Sequence, residues 1–393
     1  MLDPSAPASG AFAAAQRANV PPFQVMEVLS AAAARQRARG DVVSLAAGQP
    51  GTPAPSAVRE AAAEALRSEP LGYTEQLGLP QLREAIAGHY ARTHELTVDP
   101  GEVVVTTGAS GAFLLAFLGA FDPGDRVALA RPGYPAYRNI LRALGCEVVE
   151  LPADESTRFQ PTTAMLEELD EPVQGLIVAS PANPTGTVLS GAELADLAGW
   201  CERSGVRLIS DEIYHGIGYG VPQRSAREFS ERAVVVNSFS KLWCMTGWRL
   251  GWMLVPSELR RAVDSLTGNF TLCPPAVSQH GAVAAFRPEV YAEVGEHVRR
   301  YEKNRDMLLS GLAELGIDRV APADGAFYAY ADVGHLTEDS PDFCHRLLAE
   351  TGVAVVPGVD FDPERGQRFV RMSFAGSTED IAEALSRMAS WLG

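Results

Sequence analysis

The sequence predicts an α/β fold with a large domain, built on a mostly parallel sheet of the seven-stranded type, and a smaller C-terminal α+β domain. Its 393 residues are enough for two domains, at about 100–200 residues each. Between residues 41 and 286, seven apolar β-rich runs alternate with helical stretches, a pattern typical of parallel strands joined by helical crossovers. A long helical pattern follows, and it precedes a mixture of short strands and helices.

The elements follow in order along the chain. Residues 1–40 are interpreted as an N-terminal arm, with an Ala-rich helix from about Phe23 to Arg37. Residues 41–286 form the predicted large domain, and residues 287–393 the predicted small domain, against which the arm packs. The predicted strands of the large domain are 102–106, 126–130, 147–151, 175–179, 206–210, 233–237 and 250–255, with helices that include 111–120, 136–144 and 191–204. The small domain begins with an amphipathic helix over about 288–315 and ends with one over 380–392.

Composition and charge exclude several classes of function. The net charge of −16 argues against a nucleic-acid partner, and no run of about 18 consecutive apolar residues predicts a membrane span. The N-terminus has an early Asp3 and no basic segment before an apolar block, so no signal peptide is expected. The five cysteines are scattered and form no CxxC pair, which favours a reducing cytoplasm. Seven scattered histidines give no metal-binding pattern.

Lysine is rare in this sequence, which has 31 arginines and only Lys241 and Lys303. An arginine stays protonated, whereas a lysine amine can lose its proton and attack a carbonyl group. Lys303 lies in the charged stretch YEKNRD and is interpreted as a surface residue. Lys241 lies among apolar neighbours in SFSKLWCMTGW, which makes it a candidate nucleophile. Chance retention of two lysines explains the count equally well.

Two segments offer ligands for an anion. In the first, VVVTTGASGAF, a β-rich run meets a cluster of small residues and then an apolar helix, so that backbone N–H groups and the positive helix end converge. A plain strand-to-helix turn explains the same pattern. The second is SFSKLWCMTGWRLGW, which contains hydroxyl groups and an arginine that can fork onto a phosphate. The candidate ligands are Gly108, Ala109, Ser110, Ser238, Ser240 and Arg249.

Three further polar residues stand in apolar or rigid surroundings. Asp211 lies where a buried strand ends, the edge at which α/β sheets bind ligands, and Tyr214 follows three residues later. Asn183 lies in the Pro-rich loop SPANPTG, and Arg371 lies in the alternating strand RFVRMSFA. Each also has a structural interpretation: a helix N-cap for Asp211, a turn for the Asn183 loop and a buried salt bridge for Arg371.

In combination, these segments resemble the class I/II aminotransferases, the fold-type I enzymes that depend on pyridoxal 5′-phosphate. The resemblance runs from about residue 42 to residue 393. Each motif is modest by itself, but eight of them in the family's order are highly specific. They are GQPGTP (48–53), GYTEQLGLPQLREAI (72–86), TTGASGAF (106–113), RPGYPAY (131–137), SPANPTG (180–186), SDEIY (210–214), SFSKLWCMTGWRLGW (238–252) and VRMSF (370–374).

The resemblance implies a role for each residue around the cofactor ring. Lys241 matches the lysine that forms an imine with the cofactor and then moves the substrate proton, and Asp211 matches the acid that keeps the pyridine nitrogen protonated. Tyr214 and Asn183 match the groups beside the ring hydroxyl, and Tyr134 matches the aromatic residue that stacks on the ring.

The resemblance also implies phosphate and substrate ligands. The phosphate ligands it implies are Ala109, Ser110, Ser238 and Arg249, and Gly108 and Ser240 of the same segments remain candidate cofactor-binding residues. Tyr73 matches the residue that reaches the phosphate from the neighbouring subunit of a homodimer with shared active sites. Arg371 matches the arginine that binds the substrate α-carboxylate, with the Gly48 backbone close by. We expect a two-step transfer of the amino group from an L-amino acid to a 2-oxo acid. No matched arginine supports a dicarboxylate substrate, and we expect selectivity to reside around Phe23 and residues 12–25.

Two other functions fit parts of the sequence. A carbon–sulfur β-lyase or another fold-type I reaction on an amino acid uses the same lysine and aspartate. A non-catalytic sensor of the cofactor usually carries an N-terminal DNA-binding domain, and a 40-residue arm without a basic helix is too short for one. The sequence therefore favours an aminotransferase.

Overall fold

The computed structural model describes residues 14–393, so residues 1–13 of the predicted arm, and the start of the 12–25 segment, lie outside the described residues. The helices are α1 Gln24–Arg39, α2 Ser56–Ser68, α3 Pro80–His94, α4 Gly108–Ala120, α5 Pro135–Leu144, α6 Thr163–Glu167, α7 Gly191–Ser204, α8 Ser257–Phe270, α9 Ala276–Val283, α10 Pro288–Glu314, α11 Ser340–Thr351 and α12 Thr378–Leu392. The strands are β1 Val43–Ser44, β2 Val103–Thr106, β3 Arg126–Arg131, β4 Glu147–Pro152, β5 Gly175–Ala179, β6 Arg207–Asp211, β7 Val234–Ser238, β8 Gly251–Leu254, β9 Tyr328–Asp332, β10 Val353–Ala354, β11 Val356–Pro357 and β12 Phe369–Ser373.

The largest sheet has seven strands in the order β2-β8-β7-β6-β5-β3-β4. Strand β8 is antiparallel to both of its neighbours, and the other pairs are parallel. Both faces of the sheet are buried, since Leu176 packs into one hydrophobic cluster and its neighbour Ile177 into another. Burial on both faces explains why these strands read as continuous apolar runs rather than alternating ones. The predicted α/β fold with a mostly parallel seven-stranded sheet is confirmed.

Helices cover the two faces of this sheet. Phe113 of α4, Leu141 of α5 and Val263 of α8 pack on one face. Leu82 of α3 and Leu194 of α7 belong to the cluster on the other face. Because β5, β6 and β7 are parallel neighbours, their carboxyl ends lie at one edge of the sheet. The loops that follow them therefore meet at that edge.

The C-terminal part has a three-stranded antiparallel sheet, in the order β11-β12-β9, with α10, α11 and α12 around it. The short strand β1 pairs in parallel with β10. Helix α1 packs Val25, Val28 and Leu29 against a cluster that contains Val356 and Phe361. The segment that leads into the large sheet is thus attached to the C-terminal part. The division at residues 40 and 286 stays a prediction.

Three features of the described chain bear on its surroundings. No helix among residues 14–393 has the length and apolar character that crossing a membrane requires. The five cysteines are all free thiols, four of them buried. Within the same range, no group of three His, Cys, Asp or Glu side chains is arranged to hold a metal ion.

Candidate active site

A cavity of about 330 Å³ lies at the carboxyl edge of the large sheet, between this sheet, the start of α1 and strand β12. Its volume is at the lower end of the range of small-molecule sites. The sequence-predicted residues that line it are Gly48, Ala109, Ser110, Tyr134, Asn183, Asp211, Tyr214, Ser238, Ser240, Lys241, Arg249 and Arg371. Two predicted residues do not line it. Gly108 lies directly behind Arg249, and Tyr73 is 85% exposed on the outside of the chain.

Lys241 follows β7 by three residues, and its amine reaches into the cavity. Its Nζ donates a hydrogen bond to the Gly48 carbonyl oxygen at 2.6 Å. Burial, together with the positive charge of Arg371, lowers the pKa of Lys241 to about 8. A part of the Lys241 population therefore carries a neutral amine near physiological pH, and a nucleophilic lysine has to be neutral. By contrast Lys303 is exposed on α10, as the sequence predicts.

Asp211 ends β6 and is buried. Its Oδ1 accepts a hydrogen bond from the Ile213 backbone N–H at 3.1 Å, and its Oδ2 accepts one from the Tyr137 hydroxyl. Burial raises the pKa of Asp211 to about 6, against the effect of these two donors and of Lys241. A cationic group in the cavity would find here a carboxylate fixed in position and held close to its charged form.

Two tyrosines meet beside Lys241. The Tyr214 and Tyr328 hydroxyl groups are 2.8 Å apart, and both side chains are buried. Burial raises the pKa of Tyr214 well above its usual value, and the neighbouring Tyr328 adds to this rise. Tyr214 comes from the turn after β6 rather than from a helix, so Asp211 does not act as a helix N-cap. Both hydroxyl groups remain protonated and can donate hydrogen bonds.

The predicted phosphate ligands surround one end of the cavity. Helix α4 begins at Gly108, and no side chain caps its first N–H groups. Arg249 adopts φ +52° and packs so closely on Gly108 that a Cβ there would lie 2.4 Å from its Nη2. The Ser240 backbone N–H donates to Ser238 Oγ at 3.1 Å. An uncapped helix end beside an arginine and two hydroxyl groups fits a phosphate.

Arg371 occupies the opposite end. Arg371 is buried, yet among the described residues it forms no ion pair with a carboxylate. The interpretation of Arg371 as part of a buried salt bridge therefore does not hold. Its Nη1 donates to Asn183 Oδ1 at 3.1 Å and its Nη2 to the Ala46 carbonyl oxygen at 2.8 Å, whereas its Nε has no partner in the described chain. Its guanidinium packs on the Tyr328 and Phe361 rings. A buried cation without a counter-charge fits an anionic ligand.

The remaining wall of the cavity is apolar. Phe23, Val25 and Met26, from the start of α1, face Ala136 and Ile140 of α5 across it. The Phe23 ring lies edge-on to the Tyr134 ring, with their centroids 5.8 Å apart. The cationic side chains that line the cavity are Lys241, Arg249 and Arg371.

Comparison with known proteins identifies this arrangement. The family model "Aminotransferase class I and II" matches residues 40–388. The chain belongs to this family. A valine–pyruvate aminotransferase of Mycobacterium tuberculosis is 63% identical over 380 residues, which cover 96% of this chain and 98% of that protein. An aspartate aminotransferase of Sulfurisphaera tokodaii is 34% identical, with 89% and 90% of the two chains covered.

Solved structures agree with the sequence comparison. A crystal structure of an aminotransferase from Mycobacterium tuberculosis has a TM-score of 0.96 at 62% identity and covers 97% of this chain and 99% of that one. The Thermus thermophilus aspartate aminotransferase with maleate has a TM-score of 0.91 at 34% identity, with 96% and 99% covered. The chain is therefore an aminotransferase that acts on an amino acid and a 2-oxo acid.

Class I/II aminotransferases of this fold depend on pyridoxal 5′-phosphate, and the cavity fits that cofactor. The uncapped start of α4 beside Arg249 suits its phosphate. Asp211 suits its pyridine nitrogen, and the Lys241 amine suits its aldehyde.

Among the cavity residues that the sequence does not predict, three aromatic side chains contact predicted ligands: Tyr137, Tyr328 and Phe361. Tyr137 lies three residues after Tyr134 and so on the same face of α5, a helical spacing that could have found it. Tyr328 comes from β9, where it pairs with Ser373, two residues from Arg371 on β12. Phe361 follows a short 3₁₀ turn. The last two carry no local signal, because only the pairing of distant strands brings them to the cavity.

Proposed function

We propose that this aminotransferase takes its amino group from an L-amino acid with an apolar side chain, and that valine and pyruvate are a substrate pair. The M. tuberculosis relative that is 63% identical carries the name valine–pyruvate aminotransferase. The observation that carries the proposal is that the described cavity has no further cationic side chain to pair with a side-chain carboxylate of the substrate. The three cations that line it, Lys241, Arg249 and Arg371, are assigned to the cofactor and to the substrate α-carboxylate, and the wall at the start of α1 is apolar.

The proposal gives each residue around the ring a task. Lys241, with its lowered pKa, would be the amine that binds the aldehyde of the cofactor, and it would carry the proton to and from the substrate Cα. Asp211 would keep the pyridine nitrogen protonated, and the cofactor would supply a ring that withdraws electrons from Cα. Tyr214 and Asn183 would donate hydrogen bonds beside the ring hydroxyl, and Tyr134 would contact the ring.

Binding of the two anionic groups is assigned to opposite ends of the cavity. The phosphate would be held by Arg249, the N–H groups of Ala109 and Ser110, and the Ser238 and Ser240 hydroxyls. Arg371 binds the substrate α-carboxylate through the fork of its guanidinium, whose Nε is without a partner in the described chain. The Gly48 carbonyl lies next to the Lys241 amine at 2.6 Å, so this backbone borders the place where the substrate Cα reacts.

A panel of amino donors tests the proposed selectivity. With pyruvate as acceptor, kcat/KM for valine should exceed that for aspartate by at least about 100-fold, because an aspartate side chain would bury an unpaired carboxylate. Alanine formation is measured for aliphatic, aromatic and acidic donors under the same conditions. Equal kcat/KM values for valine and aspartate would overturn the proposal.

The enzyme is further proposed to be a homodimer with shared active sites. Tyr73 is exposed, and so are the apolar side chains of Phe270 and Leu272. These segments are neighbours, since the Gln279 side-chain amide donates both to Thr74 Oγ1 and to the Pro274 carbonyl oxygen, at 3.0 Å each. An exposed apolar patch beside a tyrosine that is remote from its own cavity suits a partner surface.

Mixed dimers test the sharing of active sites. Lys241→Ala and Tyr73→Phe chains should each have low activity, and a mixture refolded together should recover part of it through hybrid sites. The control is a mixture of Lys303→Ala and Lys241→Ala chains, refolded together in the same way. It gives the activity expected when the Lys241→Ala chain is diluted with a chain whose active-site residues are unaltered. An active monomer in sedimentation experiments would contradict the proposal.

The five free thiols support a reducing, cytoplasmic location.

A further inference from the structure

The start of helix α1 is capped from the other end of the chain. Its own N-cap residue, Phe23, supplies no side-chain hydrogen bond. Instead, the buried Asp360 carboxylate accepts hydrogen bonds from the Gln24 N–H at 3.3 Å and the Val25 N–H at 3.1 Å. A carboxylate at this position satisfies two unpaired N–H groups and lies at the positive end of the helix dipole.

This cap fixes an apolar part of the cavity wall. Phe23, Val25 and Met26 all line the cavity, and they belong to the turn that Asp360 holds. Phe23 contacts the Tyr134 ring edge-on. Val25 also packs against the cluster that contains Val356 and Phe361, whereas Met26 is 60% exposed. Asp360 supplies the hydrogen bonds to the first N–H groups of this turn, so the position of the wall depends in part on Asp360.

The backbone around Asp360 is itself tied to the binding site. Arg138 Nη2 donates to the Asp360 carbonyl oxygen at 2.6 Å, and the Gly133 N–H donates to the Phe361 carbonyl oxygen at 3.1 Å. The Phe361 ring centroid lies 5.0 Å from the Arg371 guanidinium. Consecutive residues thus contact the start of α1 and the arginine proposed to bind the substrate carboxylate.

We propose that Asp360 is a specificity-determining positioning residue: it holds the start of α1 over the cavity so that Phe23 and Val25 contact the side chain of an apolar amino donor. This proposal rests on the proposed preference for apolar donors. A valine side chain is two methyl groups larger than that of alanine, so valine gains from the wall and alanine gains little. The loss of two such contacts corresponds to a change of about 10-fold in affinity.

The test compares the half-reactions of valine and alanine without an acceptor, followed by the absorbance of the bound cofactor. In Asp360→Ala, the apparent Kd for valine should rise about 10-fold, while that for alanine should change less than about 2-fold. The limiting rates should stay close to those of the wild type. Asp360→Asn keeps the size of the side chain and one acceptor oxygen, and it should give an intermediate effect that remains measurable if the alanine variant folds poorly.

Hydrogen exchange gives a readout that does not depend on the substrate. The peptide spanning residues 20–28 should exchange faster in Asp360→Ala than in the wild type. Asp339→Ala is the matched control, because Asp339 caps α11 through the Asp342 N–H at 3.0 Å. It should leave both the exchange of this peptide and the valine-to-alanine ratio unchanged. Phe23→Ala should reduce the valine preference directly.

The outcomes separate this proposal from the function it rests on. If wild-type enzyme does not prefer valine to aspartate, the proposed donor class fails, and the selectivity role of Asp360 fails with it. If the donor class holds but Asp360→Ala has the same valine-to-alanine ratio as the wild type, Asp360 is a helix cap only and the proposal is overturned. A rise of equal size in the apparent Kd for valine and for alanine would show that the substitution acts on Arg371, which binds the carboxylate of both, and would also overturn the proposal.

Discussion

Replacement of Tyr137 by phenylalanine isolates one hydrogen bond at the centre of the site. The Tyr137 hydroxyl donates to Asp211 Oδ2, while the Ile213 N–H donates to Oδ1 and remains in the variant. Both side chains are buried in the wall of the cavity. The variant keeps the ring and its edge-on contacts with Phe113 and Tyr134. The change is therefore confined to the state of the Asp211 carboxylate.

The magnitude follows from the chemistry of a buried carboxylate. A hydrogen bond to a charged group contributes about 1.5–3 kcal/mol, which corresponds to about one to two units of pKa. The pKa of Asp211 is about 6 with the tyrosine present, because burial raises it. Without the hydroxyl, we expect the pKa to move to about 7–8 in the cofactor-free protein. Near neutral pH the carboxyl would then be largely protonated.

The assay is the pH dependence of cofactor binding. Because the charged carboxylate pairs with the protonated ring nitrogen, cofactor binding weakens as the pH falls through the pKa of Asp211. Equilibrium dialysis with pyridoxal 5′-phosphate should show this weakening near pH 6 in the wild type and about one to two units higher in Tyr137→Phe. Tyr330→Phe removes a buried hydroxyl that has no partner among the described residues and serves as the control. The same pH profile in all three proteins would refute the reasoning.

Three other predictions concern the lysine, the substrate arginine and a buried histidine. Borohydride reduction of the holoenzyme should attach the cofactor to Lys241, and peptide mapping that finds it on Lys303 would contradict the assignment. Arg371→Lys should lower kcat/KM for every amino acid by about 30-fold or more, with cofactor absorbance and the use of plain amines unchanged; equal losses for amines would make Arg371 structural. His89 lies in a ring of aromatic side chains, and burial lowers its pKa to about 3 from 6.5. The unfolded chain binds this proton first as the pH falls below 6.5, so folding stability is lost between pH 6.5 and pH 3. His89→Gln should therefore lose about 2 kcal/mol less free energy of unfolding between pH 7 and pH 5 than the wild type, as measured by urea titration, and an identical loss would show that His89 does not titrate in this way.

The sequence predicted those parts of the molecule that depend on local pattern. The inner strands were found because burial on both faces requires a continuous apolar run, as in 175–179, whereas the edge strand β4 is only partly buried. Asp211 is predicted because it lies where such a run ends, at the edge where parallel strands place ligand-binding side chains, and Ser238 is predicted from the hydroxyl groups of the segment 238–252. Both line the cavity, and their roles stay predictions. The scarcity of lysine identified Lys241 without reference to its position in the fold.

The rest of the site depends on contacts between segments far apart in the chain. Tyr328 reaches Arg371 through the pairing of β9 with β12, and nothing in the residues beside it indicates that register. Asp360 caps a helix that begins 336 residues before it. Arg371 could be found from the sequence but its role could not, because its sequence context fits a buried salt bridge and a ligand-binding arginine equally well. Only its contacts, which are with carbonyl, amide and ring groups and include no ion pair with a carboxylate among the described residues, favour the ligand.

The transfer of an amino group from valine, in two separable steps, is the central claim. Holoenzyme mixed with excess valine and no acceptor should release one equivalent of the corresponding 2-oxo acid per site and then stop, with the amino group retained by the protein. Addition of pyruvate should then release one equivalent of alanine. The measurement is the stoichiometry of both products by mass spectrometry. No oxo acid from valine, or oxo acid released without alanine formation when pyruvate is added, would contradict the account.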